Sequence, residues 1–340
     1  MTSPAALRTA VGLTALGTYA PDKVLTNQDL ESLVDTTDEW IRTRTGIRER
    51  RIAAEDEFVS TLAFRAVDDL VKRYGRGVLD DVDMVVVATN TPDALFPSTA
   101  ALVQAHFGLS AGAFDVLAAC PGWVYALSLA HGLVAGGTSR KVLAIGSEAL
   151  SKVMDWSDRA TCVLFGDGAG AAIIERVPDG FGFKSFVLGA DGTGGKHLHL
   201  RSIAPCLPDG TELASKYLYM NGREVFKFAV RVMDTATIQA LERAGVSIDD
   251  VELFIPHQAN QRIIDAATER LGLAPERVMS NVAHYGNTST ASIALALREA
   301  LDGGKVKHGD DILLVTFGAG LTWASSVLRW YEPDGAGAES

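Results

Sequence analysis

The chain has 340 residues, 47% hydrophobic and 21% charged, a globular composition that suits two domains or one double-sized unit and excludes a disordered chain. A formal net charge of −11 argues against a nucleic-acid or anionic-membrane partner held by overall field. Three scattered cysteines, Cys120, Cys162 and Cys206, make no disulfide framework and no CxxC pair, which fits a reducing cytoplasm and no bound metal.

In chain order, the stretch 9–20 is broken by Gly12 and Gly17 and reads as a first strand and turn rather than a leader. No window approaches the ~20 apolar residues of a membrane span. Helices are predicted over 27–34 and 37–46, and the second puts Trp40 and Arg44 on one face. That pair can hold a nucleotide base by stacking or stand as a surface cation–π contact. A helix over 58–74, a β-branched strand over 83–89 covered on both faces and a helix over 96–108 come next.

The apolar run 114–119 ends at Cys120-Pro121-Gly122, and 123–134 is rich in helix-compatible residues. The pattern predicts a buried strand, a sharp turn and a helix with Pro121 at its first position, where a fixed φ and missing N–H cost least. Cys120 then faces a helix N-terminus, whose unpaired N–H groups favour the thiolate that attacks carbonyl carbon. A small buried hydrophobe is the competing role. A strand over 141–146 follows. The glycine run at 165–171 opens no helix of a dinucleotide-binding unit and reads as tight backbone packing beside a strand.

The second half repeats the first. Asp80-Asp81-Val82-Asp83-Met84-Val85 is echoed by Asp249-Asp250-Val251-Glu252-Leu253-Phe254, and Phe107-Gly108-Leu109 by Leu271-Gly272-Leu273. Each half continues through a strand, a glycine turn (Cys120-Pro121-Gly122, then Tyr285-Gly286-Asn287-Thr288) and a helix to a last strand, 141–146 and 311–317. Alternating strands and helices imply parallel, doubly covered sheets, hence an α/β protein of two similar halves, 1–178 and 179–340, about a pseudo-twofold axis. Such an axis turns the Cys120 and Asn287 loops toward each other. His257, in Pro256-His257-Gln258-Ala259-Asn260 at the end of a strand over 252–255, opens on the same crevice. Cys, His and Asn so grouped serve thiol hydrolysis or thioester condensation, and spacing does not separate the two.

Six ordered stretches, 38–47, 118–127, 165–171, 256–262, 285–292 and 317–323, together resemble β-ketoacyl-[acyl-carrier-protein] synthase III, a thiolase-fold family of condensing enzymes, with the likeness running from about residue 11 to about Trp330. The resemblance implies a homodimer of duplicated, layered αβαβα subunits. It implies condensation of an acyl-CoA primer, commonly acetyl-CoA, with malonyl-acyl carrier protein, with CoA thioesters as substrates and no further cofactor. On matching positions it implies that Cys120 carries the acyl group, that backbone N–H groups of Cys120 and Ala319 hold the oxyanion, and that His257 and Asn287 stabilise the enolate oxygen. It further implies that Trp40 stacks on adenine with Arg44 and Arg159 near base and phosphates, and that Asn260 lines the pantetheine tunnel. Phe317 would flank the decarboxylation site, and Phe96 would cap the partner's acyl pocket.

The family's carrier protein is acidic, so an acidic enzyme needs a local basic face. Arg223, Lys227 and Arg231 recur every four residues on a helix over 222–243, and Arg262 matches a docking position of the family. Pro121 and Trp123 stand where members more often carry Ser or Ala and Phe, and Ala319 replaces a glycine. Ala319 acts through its backbone; the bulk of Trp123 bears on which primer fits. The runner-up reading is a specialised thiolase-fold acyltransferase or starter synthase of secondary metabolism, which often loses the asparagine or the docking cations.

Overall fold

The computed structural model describes Leu7, residues 9–213 and residues 215–333, so the outermost residues of the halves 1–178 and 179–340 lie outside the described residues. In the first half β1 (Val11–Tyr19), β2 (Met84–Ala88), β3 (Gly112–Val116), β4 (Lys141–Glu148) and β5 (Gly168–Arg176) form a sheet in the order β1-β5-β4-β2-β3. β2 lies parallel to β3 and β4, while β5 runs antiparallel between β4 and β1. In the second half β6 (Gly182–Ala190), β7 (Val251–Pro256), β8 (Asp311–Gly318) and β9 (Thr322–Arg329) repeat that order and direction as β6-β9-β8-β7. Where the counterpart of β3 would stand, a parallel bridge joins Phe254 and Val278.

Both faces of each sheet are covered, and side-chain parity shows how. In β4, Val142 and Ala144 point between the sheets while Leu143 and Ile145 point outward. Val86 and Ala88 against Val85 and Val87 in β2, and Ile312 and Leu314 against Leu313 and Val315 in β8, divide in the same way. Around this frame α1 (Asp38–Thr45) stands at the rim of the pocket, and α2 (Val59–Tyr74) and α3 (Thr99–Phe107) cover the first sheet. α4 (Gly122–Ala135) lies between the sheets, α5 (Gly222–Ala244) and α6 (Gln261–Leu271) cover the second sheet, and α7 (Ser292–Asp302) joins α4 in the middle. The result is the layered αβαβα duplication. α2 touches one sheet and buries one stripe, Val59, Leu62, Ala63, Ala66, Val67 and Leu70. Sandwiched α4 is instead apolar on both sides, burying Trp123, Val124, Ala126, Leu127, Ala130 and Val134.

The glycine run packs as its composition suggests: a Cβ on Gly170 of β5 would stand 2.1 Å from the Ala294 Cβ of α7. Three boundaries depart from expectation. β3 stops at Val116 because Ala119 turns to a φ of 52° and gives its N–H to Asn90 Oδ1 at 3.2 Å. α3 begins at Thr99, after Pro97, with Ser98 as its side-chain cap. The segment before Asn287 is a short helix, Val282–Tyr285, rather than a strand. Among the described residues no helix is long and apolar enough to cross a membrane.

Candidate active site

The loops that follow β3 and β7 and the turn before α7 meet at the floor of one pocket of about 760 Å³, whose lining includes Cys120, Glu148, His257, Asn287, Ser289 and Phe317. Cys120 precedes α4, with Pro121 as the N-cap rather than the first helical residue. The Gly122 N–H is already committed to Ala119 O at 2.8 Å, so the helix end has fewer donors left for the sulfur. Burial, the dominant influence, pushes the Cys120 thiol up to about 12; the Ser289 hydrogen bond pulls it down and the Glu148 carboxylate pushes it up again. Burial therefore opposes the thiolate that the helix terminus favours, an apolar pocket penalising an anion that a half-charge at a partly satisfied helix end attracts.

A Cβ on Gly318 would lie 2.8 Å from the Cys120 nitrogen, so the turn after β8 approaches this closely only as glycine. That approach sets Ala319 in the same pocket wall as Cys120. His257 is 1% exposed, donates its backbone N–H to Val315 O at 2.8 Å and has ring Nδ1 2.7 Å from Ser292 Oγ. Burial lowers its pKa to about 3, so the imidazole is neutral. If the Ser292 hydroxyl donates to Nδ1, the ring proton sits on Nε2, the tautomer that donates onward. Phe317 meets this ring edge-on, centroids 5.2 Å apart. Asn287 Oδ1 accepts from Ser289 N–H at 2.9 Å, which leaves the amide NH2 as the end available to a ligand.

At the mouth, Trp40 sits between two cations, the Arg159 Cζ 4.8 Å and the Arg44 Cζ 5.9 Å from its ring centre. α1 holds this group rigidly: Thr37 caps its start through the Trp40 N–H at 3.1 Å, and Gly46 ends it in the left-handed conformation. Asn260 donates from Nδ2 to Arg44 O at 3.2 Å and accepts the Arg262 N–H at 2.9 Å, tying the α6 cap to α1. Trp40, Arg44 and Asn260 line the pocket; Arg159 stands just outside the lining, with Ala160 within it.

Residues 114–192 match the family model described as 3-oxoacyl-[acyl-carrier-protein (ACP)] synthase III, and residues 241–330 match that family's C-terminal model. A β-ketoacyl-[acyl-carrier-protein] synthase III of Deinococcus deserti is 50% identical over 347 residues, covering 100% of this chain and 99% of the relative. The chain belongs to the 3-oxoacyl-[acyl-carrier-protein] synthase III family. A synthase III of Symbiobacterium thermophilum is 53% identical, with 94% of this chain and 98% of the relative covered. The solved structure of a Thermus thermophilus synthase III superposes with a TM-score of 0.93 at 66% identity, covering 94% of this chain and 99% of that one. A priming β-ketosynthase from the R1128 polyketide pathway superposes at 0.86 with 37% identity, covering 96% and 98%.

Within this synthase III fold Trp123 falls away from the pocket, while Phe96 and the α5 cations are exposed, as a residue reaching a partner and a docking face require. Phe96 is 86% exposed and outside the lining, whereas its neighbour Leu95 lines it. Trp123 is absent from the lining too: it is 1% exposed in the core between the sheets, with Nε1 3.4 Å from Ala144 O, so its bulk bears on packing and not on the primer. Arg223, Lys227 and Arg231 are exposed along α5, with Lys227 held by Glu224 at 2.7 Å, and Arg262 is exposed with its guanidinium over the Phe226 ring at 5.5 Å. Sequence reasoning missed Glu148 and Ser289 at the floor, and Met220, Phe226, Arg201 and Lys216 along the walls. A glutamate closing the largely apolar β4 was the signal for the first; Arg201, Lys216 and Met220 lie on segments without periodicity and gave none, whereas Phe226 lies on the periodic α5 beside Lys227.

Proposed function

We propose that this synthase III-family chain condenses an acyl-CoA primer, acetyl-CoA by default, with malonyl-acyl carrier protein, giving 3-oxoacyl-acyl carrier protein, CoA and carbon dioxide and so starting fatty acid synthesis. The observation that carries this reading is the convergence of Cys120, His257 and Asn287 on one pocket whose mouth presents Trp40 and Arg44. Cys120 attacks the primer thioester, while the backbone N–H groups of Cys120 and Ala319 receive the oxyanion. Malonyl thioester then loses carbon dioxide, and the neutral His257 and the Asn287 amide donate to the enolate oxygen. The carbanion attacks the acyl-cysteine and releases the product. Trp40, with Arg44 and Arg159, takes the adenine and phosphates of CoA, and Asn260 the pantetheine arm.

The chemistry uses these thioesters and no metal or further cofactor. Lys227, Arg223, Arg231 and Arg262 form the face for an acidic carrier protein. A homodimer fits the open edge of the first sheet, where β3 carries exposed Phe114 beside exposed Leu117, Leu95 and Phe96; there Phe96 would reach the partner's acyl pocket. The cytoplasm is the setting that supplies these substrates, and neither nucleic acid nor membrane has a role in them. A starter synthase of secondary metabolism is the second reading, supported by the likeness to the R1128 priming ketosynthase.

Intact-protein mass spectrometry after incubation with acetyl-CoA tests this. An added mass of about 42 Da, one acetyl group, is expected on the wild type and not on Cys120→Ser, and malonyl-acyl carrier protein should discharge it as a 3-oxoacyl product. An adduct that never condenses would favour transfer to another acceptor. No adduct with any acyl-CoA would overturn the reading.

A further inference from the structure

We infer that Ser289 and Glu148 carry the Cys120 proton during acylation, Ser289 in contact with the sulfur and Glu148 acting through it. The inference rests on the acyl-transfer reading above. Glu148 is fully buried at the end of β4 and accepts from five donors. On Oε1 these are the Asn90 N–H at 2.8 Å, Thr91 Oγ1 at 2.8 Å and Thr89 Oγ1 at 3.3 Å; on Oε2, Asn90 Nδ2 at 3.0 Å and Ser289 Oγ at 2.9 Å. A hydroxyl has one hydrogen, and a carboxylate is its strongest acceptor. While Cys120 is a thiol, Ser289 therefore points its hydrogen at Glu148 and its lone pairs at Cys120 Sγ, 3.5 Å away, and accepts from the thiol; toward a thiolate the same hydroxyl turns to donate, which is how it pulls the thiol pKa down.

The backbone agrees. Ser289 holds a φ of 50°, a conformation that favours glycine, kept in place by its N–H on Asn287 Oδ1. Glycine would relieve that strain and lose the hydroxyl. The Glu148 carboxylate also reaches the backbone of Ala119, the residue before the nucleophile, because Asn90 donates to it and accepts the Ala119 N–H with Oδ1.

Other groups are poorly placed to take the proton. His257 is neutral, with Nδ1 engaged by Ser292. His199 stacks on Tyr219 at 4.9 Å, and Arg44, Arg201 and Lys216 in the walls are cations. Burial pushes the thiol up to about 12, and a pantetheine arm filling the tunnel excludes the water that would otherwise remove the proton. As Sγ bonds to the acyl carbon, its proton passes to Ser289 Oγ while the Ser289 hydrogen passes to Glu148 Oε2. The tetrahedral adduct then breaks its bond to CoA sulfur, and the departing thiolate takes a proton from Ser289 Oγ as Glu148 Oε2 hands its proton back to that hydroxyl. CoA leaves as the thiol, and Glu148 returns to carboxylate.

Two variants and two reactions test this. Acetylation by acetyl-CoA is followed by quenched-flow intact mass, and alkylation by iodoacetamide is followed in the CoA-free protein. Ser289→Ala should lower the acetylation rate constant by at least about tenfold with KM for acetyl-CoA unchanged. Glu148→Gln should lower acetylation similarly yet accelerate alkylation, since loss of the negative charge eases thiolate formation in a water-filled pocket. Acetylation within about twofold of wild type in Ser289→Ala would overturn the relay. So would a Glu148→Gln protein in which both reactions speed up, which is the signature of charge alone. Should Glu148→Gln not fold, Ser289→Ala decides. Failure of the wild type to acetylate would instead overturn the acyl-transfer reading itself.

Discussion

At the scale of single residues, the floor of the pocket works with neutral donors in a dry site. Asn287 has its amide oxygen occupied by Ser289 N–H, so only its NH2 is left to serve an enolate. Asn287→Ala should cut malonyl decarboxylation by about 100-fold, the usual cost of one oxyanion donor, while self-acetylation of Cys120 continues. Carbon dioxide release beside the intact mass separates the two steps, and equal loss of both would contradict the assignment. His257 makes a second prediction, about stability. An unfolded chain takes up a proton at this histidine near pH 6.5, whereas the native protein resists until about 3. Between those values acid therefore favours unfolding, with a slope of about 1.4 kcal/mol per pH unit from this one proton. The full stabilisation is present above pH 6.5 and falls away as pH drops toward 3. Denaturant unfolding between pH 6.5 and 5, above the carboxylate range, should show the slope in wild type and a shallower one in His257→Gln, where buried His131 still contributes in the same direction.

At the scale of elements, position comes from closely packed backbone. α7 carries the Asn287 turn and lies against β5 only because Gly170 has no side chain: an added Cβ would come within 2.1 Å of Ala294. Overpacking of this kind costs about 1–3 kcal/mol. Gly170→Ala should lower the free energy of unfolding by that amount and slow decarboxylation, because the displaced helix moves Asn287. A variant with wild-type stability and rate would show that α7 tolerates the shift. The two ends of α1 act on the other side of the pocket, where the Thr37 cap and Gly46 turn hold Trp40 and Arg44 at fixed spacing.

At the scale of the whole molecule, two similar halves enclose one pocket, and the β3 edge of the first sheet carries no further strand. β3 ends the first sheet, and Phe114 on it and Phe96 in the segment before α3 are 37% and 86% exposed. Replacing both with lysine should leave a monomer in sedimentation velocity at micromolar concentration, because lysine on an edge strand blocks edge pairing. A dimer that survives would place the contact elsewhere.

The sequence by itself determined the two periods of structure and their repetition. Runs such as 83–89 without polar alternation meant strands covered on both faces, and the echo of 80–85 in 249–254 meant a second copy of the same sheet order. Those are local and pairwise signals, so Cys120, His257 and Asn287 could be placed at strand ends and turns before any coordinates. Only the tertiary structure decided what surrounds them. Burial of Cys120 opposes the helix terminus, Trp123 turns into the core instead of the pocket, and Glu148 reaches Cys120 through Ser289, 141 residues on. Desolvation and long-range hydrogen bonds depend on which atoms exclude water from which, and that is a property of packed layers, absent from the order of residues along a chain.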